Sequence, residues 1–155
     1  MIELYTDGAS RGNPGPGGYG VILKKGGHYK EISEGFRLTT NNRMELMSVI
    51  AGLEALKNPN SAVTVFSDSK YVVDAINKGW IYNWEKKFYN KIKNPDLWKR
   101  LMQLVRKHNV KFVWIKGHNE HPENERCDEL AVIAALGTVL NTDFEYERTM
   151  DVNNG

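Results

Sequence analysis

Three strand-like stretches, the first with alternating apolar and polar residues, lie within the first 38 positions and predict strands. Residues 2–6 alternate and lead into a loop rich in glycine and proline at 8–18, so the first strand is predicted to end at Asp7. Two further stretches, 20–25 and 29–38, flank a Gly-Gly turn and predict a hairpin. The chain is therefore expected to begin with three strands before any helix.

A change of period at Thr40 marks the first predicted helix. Apolar residues recur there at three- and four-residue steps until Asn-Pro-Asn at 58–60 ends the helix. Asn42, followed three residues later by Glu45, is its predicted N-terminal cap. The later pattern predicts, in chain order, a strand buried on both faces, two helices, a strand and a last helix at residues 62–67, 69–77, 97–108, 110–115 and 125–136. Three strands followed by alternating helices and strands indicate an α/β layer fold on a mixed sheet.

The chain has 155 residues, 41% of them apolar, which is typical of one globular domain. We expect this domain to span residues 1–140, followed by an acidic tail with little core of its own at 141–155. The late apolar run at 130–140 has 11 residues, whereas a membrane-spanning helix needs about 20. An early acid in place of a basic leader, and a single cysteine, Cys127, favour a cytoplasmic protein without disulfides.

Charge is distributed unevenly along the chain. The formal net charge is +2, but residues 70–116 hold 12 basic and 3 acidic side chains, and residues 117–155 hold 2 and 9. Aromatic residues are interleaved with the lysines of the basic block. This composition favours a surface that follows a phosphate backbone, and a solvated, lysine-rich helix face is the alternative.

Residues 15–20 satisfy the G-x-G-x-x-G pattern that binds dinucleotides when it follows a strand. The next residues, 21–23, are strand-like, whereas a dinucleotide site requires the N-terminus of a helix at that point. We therefore expect no nucleotide cofactor. The glycines are interpreted as turn residues that allow a close approach to the backbone.

Two acids follow strands in the same local pattern: an aromatic residue, a hydroxyl residue, the acid and a small residue. These are Asp7 and Asp68, which would leave one edge of the sheet together if their strands are parallel neighbours. Glu45 in the first helix and Asp128 in the last are further acids, and turn formation or helix capping is the alternative role of such residues. Converging acids without matching bases repel one another unless a divalent cation such as Mg²⁺ or Mn²⁺ neutralises them. Together with the basic aromatic block, they favour metal-assisted phosphodiester hydrolysis.

Two histidines and the cysteine are the other candidate metal ligands. His118, His121 and Cys127 lack a fourth soft ligand at a zinc spacing, so we do not expect zinc. His118 follows a glycine in a polar segment, which suits a mobile proton carrier.

Six motifs make the sequence recognisable. They are YTDG at 5–8, GNPGPGGYG at 12–20, TTNNRMEL at 39–46, SDS at 67–69, KGH at 116–118 and HPENERCDELA at 121–131. In this order along residues 2–136 they resemble the bacterial type 1 ribonuclease H family. The resemblance implies a ribonuclease H-like fold: a five-stranded mixed sheet, three antiparallel strands then two parallel, flanked by helices.

The resemblance also implies the reaction of an endonuclease that cuts the RNA strand of RNA–DNA hybrids and leaves 5′-phosphate and 3′-hydroxyl ends. The implied cofactor is Mg²⁺, as two ions in one site, with Mn²⁺ as a substitute. The residues that match the family's metal-binding carboxylates are Asp7, Glu45, Asp68 and Asp128. His118 matches the family's histidine, which assists proton transfer or product release.

Residues around these acids match the family's substrate contacts. Asn13, Asn41 and the backbone at 10–12 are expected at the RNA 2′-hydroxyls. The residues expected at the DNA strand are Lys24, Thr40 and Asn42. Trp80 and Trp84 match aromatic residues beside the DNA sugars, and the expected basic protrusion consists of Lys86, Lys87, Lys91 and Lys93.

The sequence departs from the family pattern at several places. The protrusion is several residues shorter than in the best-known members and contains Glu85, so we expect weaker and more salt-sensitive substrate binding. Lys70 stands where glutamine is usual, and Glu120 adds negative charge beside the expected catalytic histidine.

We interpret the chain as a freestanding, monomeric ribonuclease H whose partner is the RNA–DNA hybrid and which has no membrane partner. A non-catalytic hybrid-binding module is the alternative from another class, but binding alone needs no clustered negative charge. The nuclease domain of a larger polyprotein is a further alternative, and a first strand next to Met1 favours a separate protein. A DNA-cutting relative is disfavoured by Asn13 and Asn41.

Overall fold

The computed structural model describes residues 1–117 and 121–154, with side chains up to residue 150. Within this part of the chain, five strands form one sheet that six helices accompany. The strands are β1 (Ile2–Ser10), β2 (Gly15–Lys25), β3 (His28–Thr39), β4 (Ala62–Ser67) and β5 (Asn109–Trp114). The helices are α1 (Asn41–Glu54), α2 (Lys70–Asn77), α3 (Trp80–Lys86), α4 (Pro95–Lys107), α5 (Pro122–Leu136) and α6 (Phe144–Asn154).

The strands lie in the order β3-β2-β1-β4-β5. The pairs β1–β2 and β2–β3 are antiparallel, because short turns connect these strands. The pairs β1–β4 and β4–β5 are parallel, because helices lie in the connections that lead to β4 and β5. The predicted α/β fold on a five-stranded mixed sheet is confirmed.

The apolar core lies between the sheet and the helices α1, α2 and α4. Leu4 of β1 and Val49 of α1 are fully buried in it. Trp98 of α4 is also fully buried, and its Nε1 donates a hydrogen bond to the Tyr71 hydroxyl at 3.0 Å. This packing fixes α1 against β1, and α1 carries the candidate carboxylate Glu45.

The helix α5 lies on the face of the sheet opposite to α1. A Cβ added to Gly17 would meet a side chain of α1, whereas one added to Gly18 would meet the backbone of α5. A Cβ on Gly20 would lie only 2.3 Å from the carbonyl oxygen of Cys127. Because these glycines have no side chain, the backbone of α5, which carries Asp128, contacts β2 directly.

The first strand is longer than the sequence predicts. β1 runs to Ser10, and Asp7 lies opposite Gly20 of β2. The predicted strand end at Asp7 and the loop at 8–18 are therefore wrong, since only residues 11–14 separate the two strands. The glycine-rich sequence is compatible with this strand pair because the glycines, which lack side chains, leave room for the neighbouring helices.

The predicted cap of α1 is also wrong. The helix begins at Asn41, and the Thr40 hydroxyl accepts a hydrogen bond from the Arg43 backbone nitrogen at 3.2 Å. Asn42 lies within the first turn, so Glu45 has no capping role.

Two other helices differ from the prediction. The short helix α3 lies between the helices predicted at 69–77 and 97–108, where no helix is predicted. The helix α5 begins at Pro122 and not at 125, because proline fits the first turn of a helix.

The C-terminal segment folds onto the sheet, contrary to the expectation of a tail with little core. Asn141 donates from its backbone nitrogen to the Gly35 carbonyl at 2.8 Å and accepts from the Arg37 backbone nitrogen at 3.0 Å. Asp143 is buried, and α6 follows it. Among the described residues, no helix combines the length and the hydropathy that crossing a bilayer requires.

Candidate active site

Three carboxylates converge where β1, β4 and α1 meet. Thr6 and Ser67 form the last pair between the parallel strands β1 and β4, so the next residues, Asp7 and Asp68, are neighbours. A Cβ on Gly8 would lie 2.4 Å from backbone atoms of α1, which shows that the start of this helix rests on β1. Oxygen atoms of Asp7, Asp68 and Glu45 all lie within 4.8 Å of one another.

Burial and mutual repulsion disfavour the charged form of these carboxyl groups. Burial, followed by the charge of Asp68, raises the pKa of Asp7 to about 7. Burial and the charges of Asp7 and Asp68 raise the pKa of Glu45 well above its usual value. Glu45 Oε2 is buried and has no hydrogen-bond partner among the described residues. An unpaired carboxylate oxygen beside two further acids fits a hard divalent cation.

Asp128 approaches this cluster from the opposite face of the sheet. It lies on α5, and its negative charge contributes to the raised pKa of Asp7. The compact set of three carboxylates does not include it.

The loop after β5 begins at the carboxylate cluster. A Cβ on Gly117 would lie 2.7 Å from Asp68 Oδ2, so the backbone of Gly117 is in contact with Asp68. The predicted catalytic histidine, His118, lies outside the described residues, as does Glu120.

A hydrogen-bonded bridge connects the β1–β2 loop to the start of α1. Ser10 donates from its backbone nitrogen and from its hydroxyl to Asn41 Oδ1, at 2.7 and 3.0 Å. The Asn41 backbone nitrogen donates in turn to Asn13 Oδ1 at 3.0 Å. Asn13 and Asn41 are exposed, and these bonds leave both amide NH₂ groups available as donors.

The three residues predicted to contact the DNA strand differ from one another in their surroundings. Lys24 forms a 3.0 Å ion pair with Glu123 of α5, and the Thr40 hydroxyl caps α1. Asn42 is exposed beside Asn41. The structure therefore brings Thr40 and Asn42 to the start of α1, whereas Lys24 is paired with α5.

Within the basic aromatic block, residues 80–94 form α3 and a turn-rich segment after it. Trp80 is 46% exposed, whereas Trp84 is partly buried and packs edge-on against Trp98, with ring centroids 5.4 Å apart. The three lysines predicted to contact substrate, Lys86, Lys87 and Lys91, are all exposed. Phe88 lies among these lysines and is 90% exposed. The sequence pattern does not distinguish it from the other aromatic residues of this block.

Two residues beside the cluster were not predicted as part of the site. Trp114, the last residue of β5, donates from Nε1 to the Asp68 carbonyl oxygen at 3.1 Å. Lys70 Nζ lies over its ring, 4.8 Å from the centroid. In the sequence, only the lysine after the Asp-Ser motif, at a position where glutamine is usual, drew attention to this pair.

A mixed sheet with carboxylates gathered beside the end of a parallel strand, in a chain that also carries a basic aromatic surface, defines the class of metal-dependent nucleases. The profile of one family, RNase H, matches residues 1–136, and the chain belongs to that family. The predicted recognition is thus confirmed.

Curated relatives agree with this assignment. The Ribonuclease H of Desulforamulus reducens is 58% identical over 139 residues, covering 86% of this chain and 87% of the relative. The Ribonuclease H of Syntrophus aciditrophicus is 54% identical over 151 residues, covering 94% of this chain and 87% of the relative. The chain is therefore a ribonuclease H enzyme, as predicted.

Solved structures show the same fold. LC9-RNase H1, a type 1 RNase H with the type 2 active-site motif, superposes with a TM-score of 0.79 at 32% identity over 94% of this chain and 79% of that one. LC11-RNase H1 in complex with an RNA/DNA hybrid gives a TM-score of 0.67 at 30% identity over 87% of this chain and 96% of that one.

Proposed function

We propose that this chain is an endonuclease that cleaves the RNA strand of RNA–DNA hybrids and leaves 5′-phosphate and 3′-hydroxyl ends. The observation that carries the proposal is the convergence of Asp7, Glu45 and Asp68 within 4.8 Å, with a buried and unpartnered oxygen on Glu45. Membership of the RNase H family and the hybrid bound by LC11-RNase H1 support the choice of substrate.

The proposed cofactor is Mg²⁺, as two ions in one site, with Mn²⁺ as a substitute. The proposed ligands are Asp7, Glu45, Asp68 and Asp128. Bound divalent ions supply an activated water and stabilise the leaving oxygen. Because the pKa of Asp7 and of Glu45 is raised, these residues must release protons before they can act as ligands. His118, outside the described residues, is proposed to assist proton transfer or product release.

Discrimination between RNA and DNA is proposed to rest on the bridge between the β1–β2 loop and α1. The NH₂ groups of Asn13 and Asn41 are exposed there and are donors suited to a 2′-hydroxyl. Thr40 and Asn42, at the start of the same helix, are proposed DNA contacts. Lys24 is also a proposed DNA contact, but it must first exchange its ion pair with Glu123 for a phosphate.

The segment after α2 is proposed to hold the DNA backbone. Trp80 and Trp84 are proposed to lie beside DNA sugars, Trp80 with an exposed ring and Trp84 from a partly buried position. The exposed lysines proposed to contact phosphates are Lys86, Lys87 and Lys91. We further propose that the protein acts as a monomer in the cytoplasm, with residues 1–140 as the catalytic domain and the segment from Asn141 packed onto it.

The test is cleavage of a labelled RNA–DNA hybrid in Mg²⁺, in Mn²⁺ or in chelator, beside single-stranded RNA, double-stranded RNA and double-stranded DNA. We expect metal-dependent cutting confined to the RNA strand of the hybrid. Asp68→Asn should abolish cutting, whereas Glu129→Gln, which removes an exposed acid beside Asp128, should leave it unchanged.

Two results would contradict the proposal. Tight binding of the hybrid without cutting would favour a non-catalytic binding module. Equal cutting of double-stranded DNA would remove the proposed discrimination by Asn13 and Asn41. End labelling of the products checks the predicted 5′-phosphate.

A further inference from the structure

A lysine and a tryptophan are held together at the edge of the carboxylate cluster. Lys70 is the first residue of α2, and its ammonium lies 4.8 Å from the centroid of the Trp114 ring. Trp114 pairs with Ser67 in the sheet, and its indole N–H donates to the Asp68 carbonyl at 3.1 Å. The tryptophan is thereby anchored to the residue that supplies one of the proposed metal ligands.

The exposure of this tryptophan is not explained by packing. Phe112, on the same face of β5, is buried, whereas Trp114 is 42% exposed. Its ring instead holds the Lys70 ammonium through a cation–π contact.

Lys70 also has no anionic partner in residues 1–117 and 121–150, since no carboxylate there lies within 4.0 Å of its ammonium. A second lysine with a similar ring contact differs in this respect. Lys78 lies 5.4 Å from the centroid of the Trp80 ring and also pairs with Asp74 at 3.6 Å. The charge of Lys70 is thus positioned and not neutralised, and a positioned cation loses less conformational entropy when it binds an anion.

We propose that Lys70, held over Trp114, binds a phosphate of the nucleic-acid backbone next to the carboxylate cluster. This inference rests on the proposed function and names a contact outside the basic protrusion. The acids repel an approaching phosphate, and a cation on the neighbouring turn opposes that repulsion. The N-terminus of α2, to which Lys70 belongs, adds partial positive charge at the same place. Because phosphate contacts carry no sequence information, the contact contributes affinity and register.

The test compares four variants with a matched control by steady-state cleavage of the hybrid at several salt concentrations. Lys70→Gln should raise KM about two- to fivefold and change kcat little, because the contact lies in the substrate complex before and during the reaction. It should also lower the slope of log KM against log salt by about 0.7–0.9, the contribution of one phosphate contact. Lys70→Arg, which keeps the charge and stacks on the ring, should restore both values.

Trp114→Phe tests the positioning by the ring. It removes the indole N–H and weakens the cation–π contact, so KM should rise less than in Lys70→Gln. The KM of the double variant should be no higher than that of Lys70→Gln alone, because the ring acts on substrate binding through the lysine, whereas the lost hydrogen bond to the Asp68 carbonyl would alter kcat. The control is Lys107→Gln, an exposed lysine at the end of α4, at the opposite end of the parallel strands from Asp68; it should leave KM and the salt slope unchanged.

The inference is overturned if Lys70→Gln leaves the salt slope unchanged, if Lys70→Arg behaves like Lys70→Gln, or if the two substitutions add independently. Failure of the proposed function is a separate result, because the wild-type chain would then not cut the hybrid at all. Hybrid binding measured by fluorescence anisotropy in an Asp7→Asn background gives the same comparison without cleavage.

Discussion

Arg43 and Asp143 form a buried, bidentate ion pair between α1 and the C-terminal segment. Arg43 Nε donates to Asp143 Oδ2 at 2.7 Å, and Nη2 donates to Oδ1 at 2.9 Å. The two residues are 3% and 5% exposed. Asp96 of α4 accepts from the same guanidinium, and Thr39 donates to Asp143 at 2.8 Å. The cluster therefore ties four segments together two residues from Glu45.

We predict that Asp143→Asn lowers the free energy of unfolding by about 3 kcal/mol, because removing one partner leaves a buried guanidinium incompletely paired. The effect is placed at the low end of the range for buried pairs because Asp96 stays in contact with Arg43. Chemical denaturation measures it. The matched control is Glu147→Gln, which breaks the exposed pair with Arg37 and should have a much smaller effect. Equal effects of the two substitutions would contradict the prediction.

The ion cluster also shows the limit of sequence reasoning. Arg43 and Asp143 are 100 positions apart, and no periodicity or local motif connects residues at that distance. For the same reason the C-terminal segment looks like a tail in the sequence, although its acid is the buried partner of an arginine. The helix α3 was missed because its residues also match the pattern of a basic, aromatic loop.

Local patterns predicted most of the carboxylate site. The repeated motif around Asp7 and Asp68 predicted their proximity, since both follow strands that are parallel neighbours. The strand end at Asp7 was wrong because glycine-rich sequence was interpreted as loop, whereas the glycines here lie in a strand. The position of Asp128 relative to the other acids depends on how closely α5 packs on the sheet, which no local pattern specifies.

We predict that the stability of the metal-free protein falls as the pH rises between about 4 and 7 on account of the carboxylate cluster. The folded state raises the pKa of Asp7 to about 7, so protonation favours the folded state, and this contribution is lost as Asp7 ionises. Glu45 acts in the same direction. Thermal unfolding in chelator should therefore give a lower Tm at about pH 8 than at about pH 5.5.

Mg²⁺ should reverse this trend. A metal ion competes with protons for the same oxygens, so the increase in Tm on adding Mg²⁺ should be larger at about pH 8 than at about pH 5.5. Asp7→Asn removes one of the titrating groups and should reduce both effects. A Tm gain from Mg²⁺ that is the same in Asp7→Asn as in the wild type would mean that the stabilising ion binds elsewhere.

We predict that replacing Lys86, Lys87 and Lys91 together by alanine weakens hybrid binding and lowers its salt dependence. Each lost phosphate contact should reduce the slope of log affinity against log salt by about 0.7–0.9. Binding titrations at several salt concentrations measure the slope. The matched control replaces three exposed lysines far from the cluster, Lys25, Lys30 and Lys57, and so changes the net charge equally. If the control lowers the slope as much, the effect comes from net charge and not from the protrusion.

We predict that Gly20→Ala lowers both stability and kcat. The added Cβ would lie 2.3 Å from the Cys127 carbonyl oxygen, a backbone atom that cannot move without the helix α5. Overpacking of this kind costs about 1–3 kcal/mol, and the shift of α5 displaces Asp128, the next residue after Cys127, from the other carboxylates. Denaturation and steady-state cleavage measure the two effects.

Gly27→Ala is the matched control for this prediction. It makes the same chemical change in the β2–β3 turn, where an added Cβ would meet no atom within 4 Å, and its stability and kcat should stay close to those of the wild type. Loss of stability without loss of kcat in Gly20→Ala would mean that the position of Asp128 does not limit the reaction. Gly20→Ala is expected to lose both stability and kcat and to be stabilised less by Mg²⁺ than Gly27→Ala. This result would connect the close packing of α5 on β2 to the assembly of the metal site, because a displaced Asp128 cannot share an ion with Asp7.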